Sequence, residues 1–201
     1  MTQTTCERSA IEDVAALLPP IMDIRDAMLR ERVAAVWAEA MRTGNAGRGW
    51  THEQLRALPF TLLAGQISMG FIEHLCCCAR QCQAIAGVVS ATFGDRVPID
   101  TDVLLAGALV ADVGKLVEFE IDARGLARQG ATGRLLRHPF TGVALCYHHG
   151  LPAEVMHIVA AHSHEGDRVE RSIECIIFHH ADFVDFDIAR LLGRRAGGAH
   201  Q

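Results

Sequence analysis

The chain has 201 residues, half of them hydrophobic, with a formal net charge of −5 and a sequence pI of about 6.1. That length and apolar content suit one domain with a sizeable core and argue against disorder away from the ends. The acidic balance gives no electrostatic case for nucleic acid or an anionic membrane as partner, and two tryptophans and one tyrosine offer few base-stacking platforms. No uninterrupted apolar stretch is long enough to span a bilayer. Met1 to Arg8 lacks the basic-then-apolar layout of a signal peptide, so a cytoplasmic location is expected.

Helical patterning dominates the chain. Ala10–Leu18 predicts a short helix halted by Pro19-Pro20. Ile21–Met41 reads as a long amphipathic helix, with Ile24, Met28, Val33, Val36 and Trp37 near helical spacing; its exposed face is a candidate homodimer surface. Gly44, Gly47 and Gly49 mark a loop. Thr51 to Gln54 has the form of a capping box opening a short helix before Pro59. Gly65 to about Phe93 reads as a long helix with Phe71, Leu75, Cys78, Cys82, Ile85 and Val89 on its apolar stripe.

Asp100 or Thr101 then caps Val103–Val113, which is apolar on nearly all sides and therefore expected at the centre. Glu118–Ile121 predicts a brief strand, and Asp122–Gly133 a glycine-punctuated loop. Pro139–His149 is a helix ended by Gly150. Pro152 opens another that runs to about His162. Ser163–Arg168 is polar loop, and Ser172–Leu192 is the last helix before a Gly-rich tail expected to fray. With no repeat, linker or second domain, residues 1–201 are expected to form one all-α bundle of roughly six to eight helices.

Seven cysteines include the run Cys76-Cys77-Cys78, and no spacing suits a zinc knuckle; in a reducing cytosol they read as small buried hydrophobes. Histidine is the unusual count. There are 11, of which 8 lie between His138 and His180. His74 sits one turn from Phe71 and Cys78 and points inward. His162 continues the stripe Val155, Ile158, Val159, whereas His157 and His164 fall off it and are expected to be exposed. Asp182 shares a helix face with His179, among Cys175, Phe178 and Phe186, and His180 points elsewhere. His138 precedes Pro139 at a helix start. Each residue alone reads as structural; five facing inward from five segments read as a site.

The fifth is Asp112. Residues 104–117 read Leu-Leu-Ala-Gly-Ala-Leu-Val-Ala-Asp-Val-Gly-Lys-Leu-Val, so a buried apolar run ends on a carboxylate. Burying it unpaired would cost several kcal/mol, which calls for a cation, donors or water. Lys115, three residues on, is one candidate partner, and Gly114 leaves room for a close approach.

These residues resemble the HD-domain family of metal-dependent phosphohydrolases, with Ala111 standing where the His-Asp doublet has histidine. The resemblance covers about residues 70–190 and leaves an N-terminal helical extension, about residues 10–60, without a counterpart. It rests on His74, Ala111-Asp112, His138-Pro139-Phe140-Thr141-Gly142, Ala160-Ala161-His162 and His180-Ala181-Asp182-Phe183. It implies one or two divalent ions (manganese, iron, magnesium, nickel, cobalt or zinc) held by His74, Asp112, His138, His162 and Asp182, with His179 supporting them from behind. It implies hydrolysis of a small phosphorylated or anionic substrate, in which Asp112 bridges metals or orients water. Lys115 and arginines of the 124–137 segment, chiefly Arg134 and Arg137, would hold the anion. Ala111 supplies no lone pair, so activity is expected to be impaired.

Two further readings share the scaffold: a di-iron oxygenase, since similar ligand sets serve both chemistries, and a catalytically inactive HD-like binding protein. A fourth, a helical protein whose histidines are all structural, is disfavoured by the ordered five-residue match.

Overall fold

A computed structural model describes residues 10–63 and 69–198. Their helices are α1 (10–15), α2 (Ala27–Thr43), α3 (His52–Ala57), α4 (Phe71–Phe93), α5 (Thr101–Val110), α6 (Lys115–Glu118), α7 (Ala131–Leu135), α8 (His138–His148), α9 (Ala153–Ala161) and α10 (Ile173–Gly198). A two-stranded antiparallel hairpin, β1 (Phe119–Ile121) with β2 (Ala127–Gln129), pairs Phe119 with Gln129. The all-α expectation holds. Six helices longer than two turns build the bundle, and α1, α3, α6 and α7 are short additions to it. No described helix is long and apolar enough to cross a membrane.

Helix α5 occupies the centre, packed against α2, α4, α9 and α10. Its all-round apolarity is the reason: Leu104 to Val110 are all buried. Asp100 is its N-cap, accepting from the Asp102 and Val103 amides at 3.0 Å each. Gly107 lets α9 come close, since a Cβ there would lie 2.3 Å from Ile158 Cδ1. The N-terminal segment belongs to the same core. Trp37 Nε1 donates to the Leu109 carbonyl and Trp50 Nε1 to the Leu116 carbonyl, both at 2.8 Å. Those two bonds flank Asp112 and Lys115 and fix their stretch of backbone.

Several boundaries differ from the sequence pattern for identifiable reasons. The expected helix Ile21–Met41 is interrupted: Pro19–Asp23 is a 3₁₀ turn, and α2 starts after Asp26, whose side chain accepts from the Leu29 amide. The amides of Arg25 and Asp26 donate instead to the Asp102 carboxylate, at 3.1 and 2.9 Å. The capping box forms, with Thr51 and Gln54 exchanging bonds. Helix α4 begins at Phe71 because Gly70 pairs with Pro59 in an isolated bridge; Gly65 to Ser68 lie outside the described residues. The span Asp122–Gly133 is not all loop. Asp122 accepts from the Arg124 and Leu126 amides in a turn with Gly125 at φ +78°, and β2 and α7 follow. Helix α10 continues past Leu192 to Gly198. Of the cysteines, Cys78, Cys82, Cys146 and Cys175 are buried as expected, but Cys77 is exposed.

Candidate metal centre

Helix α5 ends at Val110, and the chain tightens into successive three-residue bonds, Val113 to the Val110 carbonyl and Lys115 to the Asp112 carbonyl. This turn aims Asp112 and Lys115 at the same point. It passes so close to α8 that a Cβ on Gly114 would sit 2.1 Å from the His138 carbonyl. Asp112 thereby reaches His138 at the start of α8, His162 at the end of α9, and His74 on α4; His74 in turn meets Asp182 on α10. The five residues singled out from the sequence therefore converge. Asp112 is 1% exposed, His162 1%, His74 2% and His138 5%.

Each oxygen of Asp112 faces its own set of partners. Oδ1 lies 3.3 Å from His138 Nε2 and 3.7 Å from His162 Nε2, and those two nitrogens are 3.4 Å apart. The outer sides of both rings are committed. His138 Nδ1 donates to Glu118 Oε2 at 3.1 Å, and His162 Nδ1 donates to the Val159 carbonyl at 2.9 Å. A carboxylate and a carbonyl only accept, so these contacts put the Nδ1 protons outward and turn both Nε2 atoms toward Asp112. Without a further proton, three acceptor atoms face one another, so a proton on one Nε2 or a metal ion among the three satisfies them. The triangle suits a metal: bonds of about 2.0–2.1 Å in a tetrahedral arrangement place ligand atoms roughly 3.4 Å apart. Glu118 behind His138 completes the carboxylate–histidine arrangement common at metal sites. Glu118→Gln is expected to weaken metal binding by about 10–100-fold, read by competition with a chelator of known affinity.

Oδ2 of Asp112 faces Lys115 Nζ at 2.8 Å and His74 Nε2 at 3.5 Å. His74 Nε2 is also 3.1 Å from Asp182 Oδ1, and Nδ1 donates to Asp185 Oδ2 at 2.9 Å. Cys78, one turn along α4, sits beside the same ring and forms a possible metal-holding group with His74 and Asp182. Phe60 stacks on the His74 ring, with centroids 4.3 Å apart.

Electrostatics follow from this layout. Burial pushes the Asp112 carboxyl up, but the Lys115 ammonium and the facing imidazoles more than reverse it and hold it well below the usual range. Burial opposes charge on His74, yet the Asp112, Asp182 and Asp185 carboxylates outweigh it and keep its pKa well above the ordinary value. At His162 burial likewise loses to Asp112, giving a raised pKa, whereas at His138 burial prevails and the pKa is lowered. Burial pushes the Cys78 thiol up to about 12. Protons on His74 and His162 thus compete with a metal for the same lone pairs. Metal affinity is expected to fall as pH drops from about 8 to about 6, accompanied by proton release on binding. Equal affinities in metal titrations at the two pH values would show no such competition.

A cavity of about 230 Å³ opens onto this floor. Lys115 and Arg137 contribute cations to its lining, and Phe60, Leu62, Phe183 and Phe186 contribute apolar wall. Lys115 Nζ is anchored by the Phe60 carbonyl at 3.0 Å as well as by Asp112. Arg137 stands at the rim, its Nε 3.8 Å from Glu118 Oε1. Arg134 is not brought in: it is exposed and bonds to the Gln129 carbonyl, because α7 turns it away from the cavity. His179 supports the centre differently from the expectation. Its Nδ1 lies 2.6 Å from the His162 carbonyl, so it touches backbone rather than a ligand side chain. His164 is exposed as expected, but His157 is half-buried and accepts from the Ser172 amide.

Sequence reasoning missed Asp185, Glu118 and Cys78. Asp185 lies three residues after Asp182, a helical spacing that was legible. Glu118 has no local signal; its partner His138 is 20 residues away. Compared with known proteins, the chain matches no protein-family model, no curated protein and no solved structure.

Proposed function

We propose that this chain is a metal-dependent hydrolase of a small phosphorylated or otherwise anionic substrate, built on an HD-like helical core. The observation that carries the reading is the buried Asp112–His138–His162 triangle at the floor of an open cavity, with both histidine Nδ1 atoms occupied from behind. A divalent metal held there would polarise a phosphate oxygen and lower the pKa of a bound water. Asp112, His138 and His162 would hold the ion. Lys115 uses two contacts on Asp112 and Phe60, which leaves one N–H for a substrate oxygen. Arg137 adds a second cation at the rim. Asp112, Glu118 and Asp182 also line the cavity, so an anion is repelled from this floor unless a metal offsets them.

The Ala111 side chain offers no donor. It is completely buried, in the same apolar cluster as Ala108, Phe178 and Ala181. Histidine there would therefore overpack the core as well as offer a ligand.

The test is elemental analysis of the purified protein, followed by a phosphoester panel with manganese, cobalt, nickel, magnesium or zinc. Bound metal and phosphate release that stops on chelation are expected. Absence of binding to any of these ions would remove the metal reading. Bound metal without cleavage of any phosphoester would remove the hydrolase. Dioxygen uptake with ferrous iron would move the assignment to the oxygenase.

A further inference from the structure

We propose that Cys78 completes a second metal site with His74 and Asp182, a thiolate-containing site that takes a borderline or soft divalent ion such as zinc, cobalt or iron. The inference rests on the reading of this cavity as a metal centre and assigns its second half.

Cys78 follows His74 by four residues on α4, so the two side chains stack one turn apart on the same buried face. Cys78 Sγ lies beside the His74 ring, 3.5 Å from Nδ1 and 3.8 Å from Nε2, and the ligand atoms of His74, Cys78 and Asp182 lie within 4.8 Å of one another. Tetrahedral zinc, with bonds of about 2.3 Å to sulfur and about 2.0 Å to nitrogen, sets those two atoms roughly 3.5 Å apart. Asp185 accepts the Nδ1–H bond of His74 and leaves Nε2 as the ligand, as Glu118 does for His138. Nε2 also has Asp182 Oδ1 and Asp112 Oδ2 beside it, so a metal ion taking the place of its proton keeps a positive charge against those oxygens.

Cys78 shares a buried apolar cluster with Ala111, whose methyl group offers no donor, and supplies one there. Sulfur changes which ion fits. Thiolate favours zinc, cobalt and iron over magnesium or manganese. As the metal–sulfur bond forms, the thiol proton leaves to solvent, and the metal keeps its oxidation state. Cys146 is equally buried, but among the described residues it belongs to no such group of ligands.

Anaerobic cobalt(II) titration of the metal-stripped full chain tests this by absorption. Two equivalents are expected per chain, with a near-ultraviolet sulfur-to-cobalt charge-transfer band. The band should vanish in Cys78→Ser and Cys78→Ala, persist in Cys146→Ser, and persist in His138→Ala, which loses only the other equivalent. Circular dichroism checks that each variant is folded. Cobalt ligand-field absorption without the sulfur band, or a band that survives in folded Cys78→Ser, overturns the thiolate site while leaving the Asp112–His138–His162 centre standing. No cobalt binding at all overturns both.

Discussion

His162→Ala is expected to reduce metal affinity by more than about 100-fold, beyond the range typical of losing a supporting group behind a ligand. The variant removes one corner of a three-atom triangle and leaves Asp112 Oδ1 and His138 Nε2, 3.3 Å apart, as the remaining donors. Its outer contact is a single bond to the Val159 carbonyl, and its ring lies edge-on to Phe178 at 5.5 Å. The fold should therefore survive with a small loss of packing. His138→Ala should lose metal to the same degree but destabilise more. It also strips the buried Glu118 carboxylate of a donor, leaving the His138 amide and Gln129 Nε2 to satisfy it. Elemental analysis after dialysis, with chelator competition for the constants, decides the matter. Unchanged metal content in both variants would mean that the triangle is not where the ion binds.

Asp112→Ala should lower stability by about 3–5 kcal/mol, the range for removing one partner of a buried ion pair. Lys115 would be left buried, with the Phe60 carbonyl as its remaining acceptor. Replacing both partners with apolar side chains, Asp112→Leu with Lys115→Met, should recover much of that loss, because no buried charge is then left unpaired. Urea unfolding of metal-stripped protein reads both variants. If Asp112→Ala proved neutral, the Asp112–Lys115 pair would not be a source of stability. The same experiment across pH has a definite sign. The lowered pKa of Asp112 gives stability that is present above about pH 4 and lost as pH falls through its folded value. The raised pKa of His74 gives stability that is full below about pH 6.5 and lost as pH rises through its folded value.

The N-terminal third shows how far patterning reaches. Its apolar residues were legible as core formers, but the break in the first long helix was not, because Asp102, 76 residues beyond Asp26, draws off the amides that would have continued it. The cysteines show the same division. Burial of Cys78 and its place one turn from His74 follow from its stripe, while the two carboxylates that join them depend on how α4 and α10 pack.

Helical periodicity is a local property, so the chain's pattern is enough to turn His74, His162 and Asp182 inward and to bring a carboxylate to the end of an apolar core helix. Glycines at 107 and 114 announce close approach without naming what approaches. The depth and chemistry of the site are set by long-range packing. Whether Asp185 or a carbonyl stands behind His74, whether Glu118 reaches His138, and whether Arg134 or Arg137 faces the cavity all depend on how separate elements meet. No spacing along the chain encodes those meetings; the burial of α5 among its neighbours does.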